Sequence, residues 1–355
     1  MNLLQRRATR QIRLGQVLIG GGAPITVQSM LSVRSADLAA ARAQLIALEQ
    51  AGCEIIRLAV TDPQDADAIT MLKRTATVPL VADIHFDHRL ALAAIEAGID
   101  GLRLNPGNIG DPAKVREVVR AAAERDIPIR IGVNSGSLPR QLLARLGLSP
   151  EAMVEAALEH VRILEELNFT AIKISVKASQ LSLMLDSYRL LSRKVDYPLH
   201  LGVTEAGTVL SGSVKSAIAL GILLNEGIGD TIRVSLTADP VQEVLVARQI
   251  LQNLGLRRGL NVISCPTCGR TRIDLISLTQ EVEAALEQYR DQPLTIAVMG
   301  CAVNGPGEAR EADFGIAGGE GEGLLFARGE IVKKVPESNL VEELLALIAG
   351  SVEHA

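Results

Sequence analysis

The chain has 355 residues, 48% hydrophobic but only 2% aromatic and without tryptophan, so its interior must be built from Ala, Leu, Ile and Val. That length suggests two domains, or one large barrel with an appendage. A formal charge of −5 speaks against non-specific nucleic-acid binding, and no apolar run approaches the ~18–20 residues that cross a bilayer. The opening MNLLQRRATRQIRLG has no uninterrupted apolar core and does not read as a secretory signal. A cytoplasmic protein is expected, in which a Cys-x-x-Cys pair serves metal or redox chemistry more readily than a structural disulfide.

Residues 12–14 and 17–19, with Gly15 between them and Gly20-Gly21-Gly22 after, predict a short leading hairpin. From residue 25 a short apolar run, a polar loop and an amphipathic stretch repeat eight times. The runs fall at 25–29, 55–59, 80–84, 101–105, 129–134, 171–175, 199–204 and 231–235. Short apolar strands alternating with helices indicate βαβ units and a parallel sheet. Leu38, Ala41, Leu45 and Leu48 share one helical face. Asp62-Pro63, Asp111-Pro112, Ser149-Pro150 and Asp239-Pro240 each set a capping side chain before a proline in the first turn, where no N–H is needed. The expectation for 1–255 is a (β/α)8 TIM barrel. No Gly-x-Gly-x-x-Gly turn follows the first strand to favour an open doubly wound sheet.

Residues 256–355 are expected to form a smaller α+β domain. It comprises a short connection at 256–263, a cysteine-bearing stretch, a helix at 274–289 and a strand at 294–299. A glycine-rich hairpin region follows at 314–335, turning at GGEGEG (318–323), with a closing helix at 338–349.

Side chains alternate faces along a strand. In IRIGVN the apolar Ile129, Ile131 and Val133 must meet the helices, so Arg130 and Asn134 point into the barrel. The same parity pairs Arg103 with Asn105, Asp83 with His85, and Arg233 with Ser235, and groups Lys173, Ser175 and Lys177. Arg57 and Glu205 occupy comparable strand ends, near the C-terminal rim where barrel active sites sit. Six cations (Arg57, Arg103, Arg130, Lys173, Lys177, Arg233) thus face two acids, Asp83 and Glu205. Any one cation reads equally well as half of a structural ion pair. Together they do not, because partly buried like charges without counterions are costly. A polyanion, most simply a diphosphate, resolves the imbalance. Asp83 and Glu205 suit hydroxyl binding or proton transfer. His85 and His200 read equally as ligands or as hydrogen-bonded core residues, His88 as the start of a helix, and Cys53 as a small core residue.

Three of the four cysteines, Cys265, Cys268 and Cys301, fall in the second domain. No fourth cysteine accompanies them, and the one histidine beyond His200 is His354 in the tail, so zinc would need a carboxylate or water ligand. A thioredoxin-like pair leaves Cys301 unused. An iron–sulfur cubane uses three thiolates, with its fourth iron open or differently ligated. Glu308, seven residues after Cys301 and past the turn Asn304-Gly305-Pro306-Gly307, can fold back as that ligand or stay a surface carboxylate.

Cys-Pro-x-Cys-Gly-Arg-Thr at 265–271 and Cys-x-Val-Asn-Gly-Pro-Gly-Glu-Ala at 301–309 resemble the 4-hydroxy-3-methylbut-2-enyl diphosphate synthase family of the non-mevalonate isoprenoid pathway. The barrel segments VADIHF, LRLNPGN, IRIGVNSGS, KISVKAS and TEAG are similar too, so the resemblance spans nearly the whole chain. It implies an oxidoreductase with a 4Fe–4S cluster on Cys265, Cys268 and Cys301, Glu308 being the exchangeable fourth ligand. It further implies a two-electron reductive opening of 2-C-methyl-D-erythritol 2,4-cyclodiphosphate with loss of water. On spacing and resemblance, Asn304 would hold the departing oxygen and Glu205 would donate the proton. Ferredoxin or flavodoxin would supply electrons. Passage from Gly255 to Cys265 leaves no room for the extra domain of some members, so the two-domain bacterial form is expected.

The last barrel helix should end at the barrel's bottom, with about ten residues, ~35 Å at full stretch, before Cys265. Climbing the outside of its own barrel would consume most of that reach. A head-to-tail homodimer is therefore expected, each cluster domain covering the partner's barrel mouth, as the resemblance also implies. Two other readings stand beside this one: a pterin-dependent barrel transferase with a structural zinc domain, and a non-catalytic electron carrier. A carrier would have no use for a six-cation mouth.

Overall fold

The computed structural model describes residues 5–104, 109, 111–301 and 310–352. The chain forms two compact units, Met1–Leu256 and Arg257–Ala355. In the first, a hairpin of β1 (Gln11–Leu14) and β2 (Val17–Gly20) precedes eight barrel strands. These are β3 (Thr26–Met30), β4 (Ile55–Ala59), β5 (Leu80–Asp83), β6 (Gly101–Leu104), β7 (Ile129–Asn134), β8 (Ile172–Lys177), β9 (His200–Leu201) and β10 (Thr231–Ile232). They pair in parallel in the order β8-β7-β6-β5-β4-β3-β10-β9. An Ile174–Leu199 bridge joins β9 back to β8, with the Ile174 N–H donating to the Pro198 carbonyl at 3.0 Å. The expected TIM barrel is therefore present, closed by one backbone bridge.

Local chemistry sets the helices around it. Asp62, Asp111, Ser149 and Asp239 each accept from a first-turn N–H of the helices Pro63–Lys73, Pro112–Ala123, Pro150–Glu165 and Pro240–Asn253. Ile129, Ile131 and Val133 join the apolar layer between strands and helices, which turns the intervening residues inward. Cys53 is buried there too, and burial pushes its thiol up to about 12.

The barrel's two ends differ. At the N-terminal end, hairpin residues Ile12, Leu14 and Ile19 pack on Ile55 and Val81. A Cβ on Gly101 would meet Leu14 Cδ1 at 2.4 Å, so that glycine admits the plug. At the other end the last two strands are shorter than their apolar runs predict. Pairing persists only in single bonds, such as Arg233 N–H to the Leu201 carbonyl at 3.0 Å. A side chain at Gly202 would lie 2.5 Å from Lys177 Nζ and 2.6 Å from the Arg233 carbonyl oxygen, so the chain there makes way for an inward lysine.

The second unit is a five-stranded sheet in the order β11 (Asn261–Ser264), β12 (Thr295–Met299), β13 (Phe314–Gly318), β14 (Glu322–Ala327), β15 (Glu330–Pro336). The first three run parallel and the last two antiparallel. β11 corrects the expected plain connection at 256–263: four residues are too few for visible periodicity, but they pair with β12 along their whole length. The glycine-rich region is a meander with a second tight turn at Arg328-Gly329, both at positive φ, the pattern of a type I′ hairpin. Helices Leu275–Ala285 and Leu340–Val352 cover one sheet face through Leu278, Val282, Leu344 and Ile348.

Candidate active site

Strand register brings the charged residues together. Asp83 on β5 is in register with Arg103 on β6, Arg103 with Arg130 on β7, and Arg130 with Lys173 on β8. Three cations stand abreast on consecutive strands, with one carboxylate at the end of the row. Like charges directly opposite on neighbouring strands repel, and these three residues are only 4–8% exposed.

Asp83 relieves part of that repulsion. Its Oδ1 accepts from Arg103 Nη1 at 3.1 Å, while Oδ2 lies 3.6 Å from Arg57 Nε and 3.7 Å from His85 Nε2. Burial alone would raise this carboxyl, but Arg57, His85, Arg103 and Arg130 together hold it below the usual carboxylate range. Arg57 also gives Nε and Nη2 to the Met30 thioether at 3.2 and 3.0 Å, a weak acceptor. Burial lowers the Arg57 guanidinium to about 10.

Farther round the ring, charge is left over. Arg130 donates Nη1 to Ser175 Oγ at 2.6 Å, and its buried Nε and Nη2 have no hydrogen-bond partner among the described residues. Burial, then Arg57 and Arg103, holds this guanidinium well below its ordinary value. Lys177 is 5% exposed. Burial first, then Arg130, Arg233, Arg57 and Arg103, holds its ammonium well below the ordinary lysine range. Gly132 permits this crowding, since a Cβ there would meet Arg103 Nε at 2.8 Å.

These side chains enclose a cavity of about 260 Å³ at the C-terminal ends of the strands, lined by Arg57, Asp83, Arg103, Arg130, Lys177 and Arg233. His85, Asn134 and Ser235 also reach it, joined by Thr204, which the sequence did not single out. The remaining candidates lie elsewhere. Lys173 sits deeper, beside a small void floored by Leu14 and Ile19. Its Nζ is 3.4 Å from Thr231 Oγ1, and burial, then Arg130, lowers it to about 7. Ser175 is buried beneath Arg130. His200 is fully buried with neither ring nitrogen hydrogen-bonded among the described residues. Burial, then Lys177 and Arg130, holds it well below its ordinary value, the direction expected of a core imidazole among cations. Glu205 is exposed, with left-handed backbone at φ +53, and it does not line the cavity. Asn105, Asn304 and Glu308 lie outside the described residues.

A second acid does serve the mouth, and the sequence reading passed over it. Glu243, 5% exposed, faces Arg233 Nη2 at 3.4 Å from the helix Pro240–Asn253. In sequence it is only a carboxylate in a first helical turn, where the helix dipole favours one anyway.

In the second unit, Cys265 directly follows β11 and Cys301 lies just past β12, adjacent parallel strands in register through Ser264 and Val298. Both cysteines therefore emerge at the same sheet end. The Gly300 N–H donates to Cys265 Sγ at 3.3 Å. Cys268 is exposed, in a turn whose Thr271 hydroxyl accepts from the Cys268 N–H at 3.1 Å. The Arg270 N–H leads the groups that hold its thiol below the ordinary value. All three thiols are free, but among the described residues no three His, Cys, Asp or Glu side chains are gathered closely enough to grip an ion.

Comparison with known proteins then identifies the chain's relatives. Residues 9–248 match the GcpE TIM-barrel domain and residues 261–350 match the GcpE protein C-terminal domain. The chain belongs to the GcpE family. A family member from Geobacter sulfurreducens, named 4-hydroxy-3-methylbut-2-en-1-yl diphosphate synthase (flavodoxin), is 60% identical over 95% of this chain and 96% of its own length. Proteins of the same name from Maridesulfovibrio salexigens and Clostridium perfringens are 57% and 55% identical, each over 97% of this chain and over 96% and 99% of their own lengths. Among solved structures, a Stenotrophomonas maltophilia dihydropteroate synthase superposes with TM-score 0.51 at 15% identity, covering 70% of this chain and 98% of its own. The N-acetylneuraminic acid synthetase of Leptospira borgpetersenii does so with TM-score 0.51 at 13% identity, covering 79% and 98%. At such identities these two speak to the barrel fold alone. No helix among the described residues is long and apolar enough to cross a membrane.

Proposed function

We propose that this chain makes 4-hydroxy-3-methylbut-2-en-1-yl diphosphate by opening 2-C-methyl-D-erythritol 2,4-cyclodiphosphate, with two electrons taken up and one water lost. The observation that carries this reading is the cavity in which Arg57, Arg103, Arg130, Lys177 and Arg233 surround one lining carboxylate, Asp83. Two phosphoryl groups match that surplus, with planar guanidinium forks for their oxygens and Lys177 as a point charge. Ring opening frees a phosphate oxygen, so negative charge develops on the diphosphate as the bond breaks, and the cationic wall is placed to stabilise it. Relatives 55–60% identical over nearly the whole chain favour this over a pterin-dependent transferase with a zinc domain.

The donor set of the second unit fits a 4Fe–4S cluster. Three free thiols, two at adjacent strand ends and one receiving a backbone N–H, are the ligands and sulfur hydrogen bonding that such clusters use. Cys265, Cys268 and Cys301 would hold it, with Glu308 as fourth ligand. Bound there, the cluster supplies the two electrons, delivered by reduced flavodoxin, the donor in the relatives' name, with ferredoxin as a second candidate.

The chain's own groups do the rest. Arg57, Arg103, Arg130, Lys177 and Arg233 hold the diphosphate, while Asp83 keeps Arg57 and Arg103 aimed. His85, Asn134 and Ser235 reach substrate oxygens from the same wall, and Asn105 is a further candidate to bind them. Lys173, Ser175 and His200 act from behind, Ser175 by orienting Arg130. Glu205, exposed at a left-handed position past β9, is the proton donor, and Asn304 steadies the departing oxygen.

A shared site in a homodimer completes the proposal. The β11 pairing takes up part of the expected ten-residue tether, leaving only residues 254–260, about 25 Å when extended. That shorter reach supports each cluster domain serving the partner's mouth.

Anaerobic purification with metal and sulfide analysis tests the reading. About four iron and four sulfide per chain are expected, with turnover of the cyclic diphosphate under reduced flavodoxin. Stoichiometric zinc in a colourless protein would sink it.

A further inference from the structure

We propose that Glu243 is a positioning residue that aims Arg233 at the anion in the barrel mouth. Three donors from different parts of the barrel converge on its carboxylate. Oε2 accepts from Ser29 Oγ of β3 at 2.9 Å and lies 3.4 Å from Arg233 Nη2, while Oε1 accepts from Leu236 N–H at 3.0 Å. The helix has no need of Glu243 as a cap, because Asp239 already accepts from the Val241 N–H at 2.8 Å. A buried carboxylate not required by its own helix is costly unless its partners repay the desolvation. Here those partners are a barrel strand, the loop after β10, and a cation of the mouth.

Arg233 needs such a guide. It lies just past β10, which is two residues long, so little sheet pairing fixes its course. Its buried Nε has no hydrogen-bond partner among the described residues. The single long contact to Glu243 restrains the guanidinium yet leaves its other N–H groups for a phosphate oxygen. An amide cannot replace the carboxylate. With its oxygen toward Leu236 N–H, a glutamine turns its own donors on Arg233, and flipped, it turns them on Leu236.

The inference rests on the proposed function only in taking a diphosphate as the ligand. Inorganic pyrophosphate binding to the full chain, measured by calorimetry, is therefore the primary readout. Glu243→Gln should weaken pyrophosphate about tenfold and raise KM for the cyclic diphosphate by a similar factor while kcat stays within about twofold. On an Arg233→Ala background the same substitution should weaken pyrophosphate no further, since the effect passes through Arg233. Equal weakening with and without Arg233, or no weakening in the single variant, overturns the proposal. Should Glu243→Gln fail to fold, Glu243→Asp keeps two acceptors but draws them back by one methylene, and its effect must likewise vanish without Arg233. Loss of the proposed function would look different: no turnover of the cyclic diphosphate by the unaltered protein, with the Glu243–Arg233 coupling to pyrophosphate intact.

Discussion

Arg130 Nη1 and Ser175 Oγ are joined at 2.6 Å, and this is the one hydrogen bond of the Arg130 guanidinium among the described residues. A buried cation so poorly matched contributes to binding at the expense of the free protein. Arg130→Met should leave folding stability unchanged or raise it by up to about 2 kcal/mol, while pyrophosphate affinity falls at least tenfold. Thermal melting and calorimetry on one preparation check both. A large loss of stability would show that Arg130 is a structural residue.

The two inward lysines make binding depend on pH. The folded Lys173 ammonium is lowered from 10.5 to about 7, and burial holds the Lys177 ammonium well below the ordinary lysine range as well. Between about 7 and 10.5 the unfolded chain then holds more protons than the folded one, so these groups make stability of the free protein rise with pH across that window. A bound diphosphate reverses the shift and draws protons in. Calorimetry at pH 8 in two buffers of different ionisation enthalpy should register uptake of about one proton or more per pyrophosphate bound, and release of protons would contradict it.

Gly202 is expected to tolerate no side chain. A Cβ would face Lys177 Nζ at 2.5 Å and the Arg233 carbonyl oxygen at 2.6 Å. The lysine can yield, but the backbone oxygen cannot. Gly202→Ala should cost about 1–3 kcal/mol, read by denaturant melting, and should weaken pyrophosphate through both displaced cations. Wild-type stability with wild-type affinity would mean the strand end is softer than its packing suggests.

The proposed homodimer is testable by complementation. A mixed dimer of one Cys301→Ser chain and one Arg130→Met chain pairs an intact mouth with an intact cysteine set across the two subunits. It should recover about half the activity of the unaltered dimer, one working site of two. Complete inactivity of such a mixture, with both parents folded and dimeric, would rule out sharing.

Most of the barrel was legible because its signals are local: alternating apolar runs and proline-headed caps need no knowledge of neighbours. Parity likewise turned Asp83, Arg103, Arg130, Lys177 and Arg233 inward, and they meet in one cavity with Arg57, read from its strand end. Depth was hidden. Lys173 and Lys177 share a face, but Lys177 lines the mouth while Lys173 lies beside the void above the hairpin plug. Glu243 was hidden for a related reason: it lies 214 residues along the chain from Ser29, and only closure of β10 onto β3 brings them together. β11 escaped because an edge strand of four residues depends on its partner for definition.

The hairpin at the barrel's base has a consequence beyond packing. With Leu14 seated against Gly101 and Ile12 and Ile19 filling the space beside it, the barrel is plugged at its base, and among the described residues its cationic cavity lies at the C-terminal rim. Substrate and the water it displaces therefore pass through the same end of the barrel.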